Sequence, residues 1–150
     1  MRTLLTGLCA VAAMALLTAR AAEPRRAPQL VVIVHPSSGV DALTPADAVN
    51  IFMGRYRRLP SGLAAFPIDI GDRSPEREAF YRRIVRKDLA EIDAYWARLV
   101  FSGQTSPPLK VPDDRAAVRL VASNPAAIAY VDRSAVDGSV KVVLDLGAGP

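Results

Sequence analysis

The sequence predicts a layered α/β domain, a mostly parallel sheet flanked by helices. Two short apolar runs rich in β-branched residues, "LVVIVH" (Leu30–His35) and "FPIDI" (Phe66–Ile70), read as strands and are expected side by side in one layer. Between and after them, apolar residues recur at spacings of three and four behind good helix caps. The resulting order, β-α-β-α-α-loop-α-β-β, interleaves strands with helices, the pattern of helices packed on a sheet.

Each element has its own local justification. Leu30–His35 is continuously apolar, as expected of a strand covered on both faces, and "PSSGVDAL" after it reads as a loop. Thr44 caps a helix with Pro45 at N1 and Asp47 in the first turn; the helix runs to Met53 and stops at Gly54. Val49, Phe52 and Met53 share its inner face. "RYRRLPSG" (Arg55–Gly62) is a basic turn leading into the second strand.

Ser74-Pro75-Glu76 repeats the cap, N1-proline and acidic-first-turn grammar, and Phe80 and Ile84 lie one turn apart on the helix it opens. Arg82, Arg83, Arg86 and Lys87 crowd the end of that helix, where the dipole favours cations. Leu89, Ile92, Trp96 and Leu99 mark another amphipathic helix ending near Phe101, with Tyr95 at its rim. "SGQTSPPLKVP" reads as a proline-rich loop. Asp113 or Asp114 opens a last helix through Val121, with Ala117, Leu120 and Val121 inward. Ala127–Val131 and Val140–Leu146 are closing strands, and residues 147–150 are expected to be a disordered tail.

The first 21 residues read as a secretory signal: Arg2, the uncharged run Leu4–Leu17, then Ala19-Arg20-Ala21 as a small–x–small cleavage site. The run is shorter than the roughly 20 residues a membrane span needs. Cys9 lies inside it behind Leu8, which argues against lipidation, so the exported part relies on its core and not on disulfides. Residues 22–29 form a flexible lead, and residues 30–146 one domain in the periplasm. Removing the leader leaves 17 of the 19 basic residues against 15 acidic ones. So small an excess gives no steering toward nucleic acid, and no membrane span remains after cleavage.

In open α/β sheets ligands sit beyond the carboxyl ends of strands, against helix N-termini. Two places qualify. Ser37, Ser38 and Gly39 follow the first strand; Arg73 and Ser74, with Arg77 one turn on, follow the second. Both could present hydroxyls, amides or guanidinium groups to a small oxyanion, although Ser74 is equally a plain helix cap. Arg55, Arg57 and Arg58 read as a solvated turn or a surface for an acidic partner. His35, the sole histidine, lacks the companions of a metal site or of a catalytic group, and no G-x-S-x-G elbow is present. No cofactor, metal or enzymatic activity is expected.

Four segments in order resemble phosphate-type substrate-binding proteins of ABC transporters. "LTPADAVNIFMGRYRRLPSG" is similar to that family's capped helix and Ile-Phe-x-Gly-(Lys/Arg) turn, and "FPIDIGDRSPEREAF" to its strand, arginine and serine-rich helix start. "FSGQTSPP" and "AVRLVASNPAAIAYV" match its later loop, helix and Gly-Ala-Ile-Gly-Tyr-Val strand, so the likeness spans roughly Leu43 to Val131. It implies a type 2 periplasmic-binding-protein fold reduced to about a single lobe. It also implies an exported, non-enzymatic protein with phosphate or a similar oxyanion as candidate ligand. A permease, another envelope protein or a second copy of the chain are the implied partners. A lobe without its counterpart leaves an open, wetter site, unless two chains pair. The chain departs from the pattern with Pro75-Glu76 where the family has Gly-Thr, Leu59 where it has tryptophan, and Ala126-Ala127-Ile128-Ala129 where it has Gly-Ala-Ile-Gly. Proline removes a donor and glutamate adds a negative charge, which Arg73 and Arg77 are placed to offset. The same fold without its ligand would serve as a protein-interaction module.

Overall fold

A computed structural model describes residues 26–148; the expected leader, the start of the lead and the last two residues lie outside them. The elements are β1 (Gln29–Val34), α1 (Pro45–Phe52), β2 (Phe66–Ile70), α2 (Pro75–Val85), α3 (Leu89–Phe101), β3 (Leu109–Val111), α4 (Asp114–Ser123), β4 (Ala127–Asp132) and β5 (Lys141–Ala148). A 3₁₀ turn, Arg133–Ala135, follows β4.

The caps act as their chemistry requires. The Thr44 hydroxyl accepts from the Asp47 amide at 3.1 Å while the Asp47 carboxylate accepts from the Thr44 amide at 3.0 Å. Ser74 Oγ accepts from the Arg77 amide at 3.0 Å, and Asp113 Oδ1 from the Ala116 amide at 2.8 Å. Helix α2 ends with Arg86 in the left-handed region at φ 55°, a position glycine usually fills.

The sheet has five strands in the order β3-β2-β4-β1-β5. It is mixed rather than mostly parallel: β2 is parallel to β3 and β4, while β1 is antiparallel to β4 and β5. Helical crossovers force parallel pairing only on the strands they join, β2 to β3 and β3 to β4. No such crossover links β1 to its neighbours in the sheet. β1 and β2 share the layer, but β4 lies between them. The proline-rich loop contains a strand, β3, and both ends of the expected domain extend: Gln29 of the lead pairs with Ala148, and Leu30 with Gly147 of the expected tail.

Leu30–Val34 and Ala127–Val131 are buried throughout, giving the sheet its continuous apolar centre. Phe80 stacks on Tyr130 with centroids 3.8 Å apart, and Phe52 meets both rings edge-on. Ile92 and Trp96 of α3 and Ala117 and Val121 of α4 are buried as the periodicity requires, with Leu89, Leu99 and Leu120 half-buried.

The strand directions have one decisive consequence. Because β1 opposes β4 and β4 follows β2, the loop after β1 and the loop after β2 lie at opposite ends of the sheet.

Candidate functional site

Helices α2 and α4 begin where the adjacent parallel strands β2 and β3 end. Their N-termini flank a crevice of about 510 Å3 lined by Ile70, Ser74, Glu76, Pro112, Asp113, Asp114, Arg115, Ser134 and Ala135. The turn leading into α2 docks on the β3–α4 connection: the Gly71 amide donates to Val111 O at 2.8 Å and the Ser74 amide to Gly71 O at 3.2 Å. The amides of Asp72, Arg73 and Glu76 make no hydrogen bond among the described residues.

The crevice is acidic. Glu76, Asp113 and Asp114 line it against one cation, Arg115. Burial pushes the Asp114 carboxyl up from its ordinary 3.8 to about 6; the Asp132 amide, donating to it at 3.2 Å, opposes that, and the charges of Glu76, Asp132 and Asp113 add to it. The other oxygen of Asp114, Oδ1, is buried without a hydrogen-bond partner.

Asp69 of β2 and Arg77 in the first turn of α2 form a buried ion pair that the sequence reading missed. Arg77 is 1% exposed, its Nε 2.9 Å from the Asp69 carboxylate; Nη2 lies 2.8 Å from Asp93, and Nη1 donates to Asp72 O at 3.1 Å. Asp69, also 1% exposed, accepts further from the Tyr81 hydroxyl at 3.2 Å, the Ile70 amide at 3.0 Å and the Tyr130 hydroxyl. Burial pulls the guanidinium pKa down, but hydrogen bonding to Asp93 and the charge of Asp69 outweigh it, so the pKa is raised. Burial and then Asp69 raise both tyrosines, keeping them neutral donors.

The expected anion-facing set therefore divides. Arg73 is exposed and Ser74, acting as a cap, lines the crevice; Arg77 is consumed internally and faces no solvent. Ser37, Ser38 and Gly39 lie at the far end of the sheet. There the Ser37 amide donates to His35 Nδ1 at 2.9 Å, and the hydroxyl of Ser38, a residue 1% exposed, accepts from the Val40 amide at 3.2 Å. Gly39, at φ 73°, packs on Ser61 of the turn that carries Arg55, Arg57 and Arg58. The structure thus joins the serine loop to the basic turn and separates both from the α2 N-terminus. Among the described residues no group of three or more His, Cys, Asp or Glu could hold a metal ion.

Known proteins match this architecture through their structures. No family model matches the chain, and no curated protein matches it in sequence. An ABC-type phosphate transport receptor from Vibrio cholerae superimposes with a TM-score of 0.62 at 18% identity, over 79% of this chain and 46% of that one. A putative phosphate ABC transporter substrate-binding protein from Clostridium perfringens, solved with bound phosphate, gives 0.61 at 21% identity over 79% and 45%. PstS from Borrelia burgdorferi gives 0.56 at 10% identity over 79% and 47%. This chain has the fold of one lobe of a phosphate-type substrate-binding protein. It spans under half the length of those proteins.

The acidic lining of the crevice comes from two places. Glu76 was visible as a departure at the helix start. In the sequence Asp113 and Asp114 show only as a helix cap, because their approach to α2 depends on β3, hidden in the proline-rich stretch. Asp69 did carry a signal: a carboxylate inside an otherwise apolar strand needs a buried partner, and Arg77 and Tyr81 lie one helical turn apart.

Proposed function

We propose that this chain is an exported, non-enzymatic binding-protein lobe acting in the periplasm by protein contact, its crevice no longer suited to capturing a free oxyanion. The observation that carries this is the placement of Glu76, Asp113 and Asp114 around the α2 and α4 N-termini, with Arg77 withdrawn into the core. A helix N-terminus favours an anion by about 0.3–1 kcal/mol, and up to about 2 in the best geometries. Like charges about 4 Å apart near a surface repel on the scale of 4 kcal/mol. Three carboxylates against Arg115 therefore outweigh the helix ends. Export is supported by the leader pattern in the sequence and by the transport role named for the Vibrio cholerae structure; no helix among the described residues is long and apolar enough to cross a membrane.

Titration calorimetry of the full chain with phosphate, sulfate and small carboxylates tests the reading. No heat of binding is expected at millimolar ligand; saturable phosphate binding in the micromolar range overturns it. A second reading keeps the oxyanion, and with it a link to ABC transport, because the amides of Asp72, Arg73 and Glu76 are unused beside Arg73 and Ser74. It predicts weak phosphate binding that strengthens when Glu76→Thr removes the nearest charge.

A further inference from the structure

We propose that the groove between the basic turn and the start of β3 docks an acidic segment of another protein, one carrying an apolar side chain between its carboxylates. This rests on the protein-contact reading above and names the surface and the chemistry of its partner. The groove, about 500 Å3, lies at the end of the sheet opposite the crevice and is lined by Tyr56, Arg57, Phe66, Pro107 and Leu109 among others. Tyr56, Phe66 and Leu109 are 51%, 39% and 47% exposed. They are half of the large apolar side chains left open among the described residues and share this one concavity, while Leu63, Val100 and Phe101 lie outside it.

Charge defines the occupant. Arg57 donates to Gln104 O and Arg58 to Gly62 O, both at 2.8 Å, and Arg55 reaches Asn50 Oδ1 at 3.5 Å. All three acceptors are neutral, and residues 55–66 include no acidic side chain. Elsewhere Arg82, Lys87, Lys110, Arg133 and Lys141 each meet a carboxylate, while Arg73, Arg86, Arg98, Arg115 and Arg119 form no ion pair among the described residues but are spread along the chain, not gathered in one turn. Arg57 on the groove wall, with Arg55 and Arg58 beside it in the same turn and no counter-charge on any of the three, fits an acidic peptide with an apolar anchor, since charge selects the partner and the anchor supplies most of the burial.

The walls are set before anything binds. Gly54 closes against the Trp96 ring, the Tyr95 hydroxyl donates to Met53 O at 2.7 Å, and Arg57 ties its turn to the loop before β3. A fixed groove spends little ordering entropy on docking.

Panning a random peptide-display library against the full chain tests the proposal, with affinities then read from the fluorescence of Trp96, the sole tryptophan. The expected pool is acidic with an aliphatic or aromatic residue, and its binding weakens as salt rises. Arg55→Glu/Arg57→Glu/Arg58→Glu is expected to weaken an enriched peptide roughly tenfold or more. Phe66→Ser, at an exposed site where folding is checked by circular dichroism, should weaken it several-fold without changing the salt dependence. A pool without acidic bias, or no enrichment, overturns the proposal. Acidic peptides indifferent to both variants overturn the groove assignment and leave the protein-contact reading standing, whereas tight phosphate binding in the calorimetry removes that reading by itself. The acidic crevice makes a second copy the rival occupant in a head-to-tail chain. Concentration-dependent assembly in sedimentation, abolished by the arginine reversal, would assign the groove to that copy and overturn the acidic-partner identity.

Discussion

The two ends of the sheet handle charge in opposite ways. At the carboxyl ends of β2 and β3, Arg77 is absorbed by Asp69 and Asp93 and Lys110 by Asp72, so three carboxylates line the crevice against Arg115, with Arg73 exposed beside it. At the opposite end the arginines point outward and bond only neutral oxygens. The first end is held rigid by a buried ion pair with tyrosine donors, the second by close packing on a glycine. On the proposed reading, a lobe of this fold keeps its architecture while the side that recognises a partner moves. The fold needs only the strand order and a satisfied core, whereas recognition needs uncommitted charge.

The largest expected effect breaks the first end. Arg77→Met leaves the Asp69 carboxylate buried without its cation, and unfolding in urea should show a loss of about 3–5 kcal/mol. The double variant Asp69→Asn/Arg77→Met removes the stranded charge and should recover part of that loss, the coupling expected of residues in one network. A loss under about 0.5 kcal/mol for the single change, the range of ordinary surface substitutions, would mean that the pair does not hold this end together.

The second end breaks more gently. A Cβ on Gly54 would lie 2.8 Å from Trp96 Cη2 and 3.3 Å from Thr105 Cγ2, and the backbone there is at φ 71°. Gly54→Ala therefore combines left-handed strain with overpacking, and should cost about 2–4 kcal/mol in the same unfolding experiment. It should also shift the Trp96 emission, since the ring must move. Unchanged stability and emission together would show that the groove wall is not set by this contact.

The sequence made the helices legible because their signals are local. Thr44-Pro45, Ser74-Pro75 and Asp113 announce caps within a few residues, and Ile92 and Trp96 show their burial through spacing alone. Strand direction is not local. Nothing in "LVVIVH" tells that β1 enters opposite to β4, and so nothing in the sequence separates Ser37, Ser38 and Gly39 from Arg73 and Ser74, although the length of the sheet lies between them. β3 was hidden for a similar reason. Three residues between prolines carry no periodicity, and only the partner strand β2 makes them a strand. Arg77 looked like an anion ligand because its sequence position, one turn into a helix, is the same for an arginine facing out and one facing in.

The smallest expected effect sharpens the contrast by titration. Asp114 has a carboxyl raised from 3.8 to about 6 in the folded chain, so between those values the folded state holds a proton that the unfolded state has released. Stability then falls as pH rises through that window, and the penalty is complete above about pH 6. Asp114→Asn abolishes the charge that Glu76, Asp132 and Asp113 oppose and keeps an oxygen for the Asp132 amide. Its melting temperature should exceed that of the parent by a few degrees above pH 6, with the difference shrinking to nothing below pH 4. A gain equal at all pH values would trace the effect to packing; no gain at neutral pH would mean that the crevice carboxylates are solvated well enough not to repel one another. In that case Glu76 and Asp113 would also oppose an anion less than supposed, and the contrast between the ends would rest on the outward arginines alone.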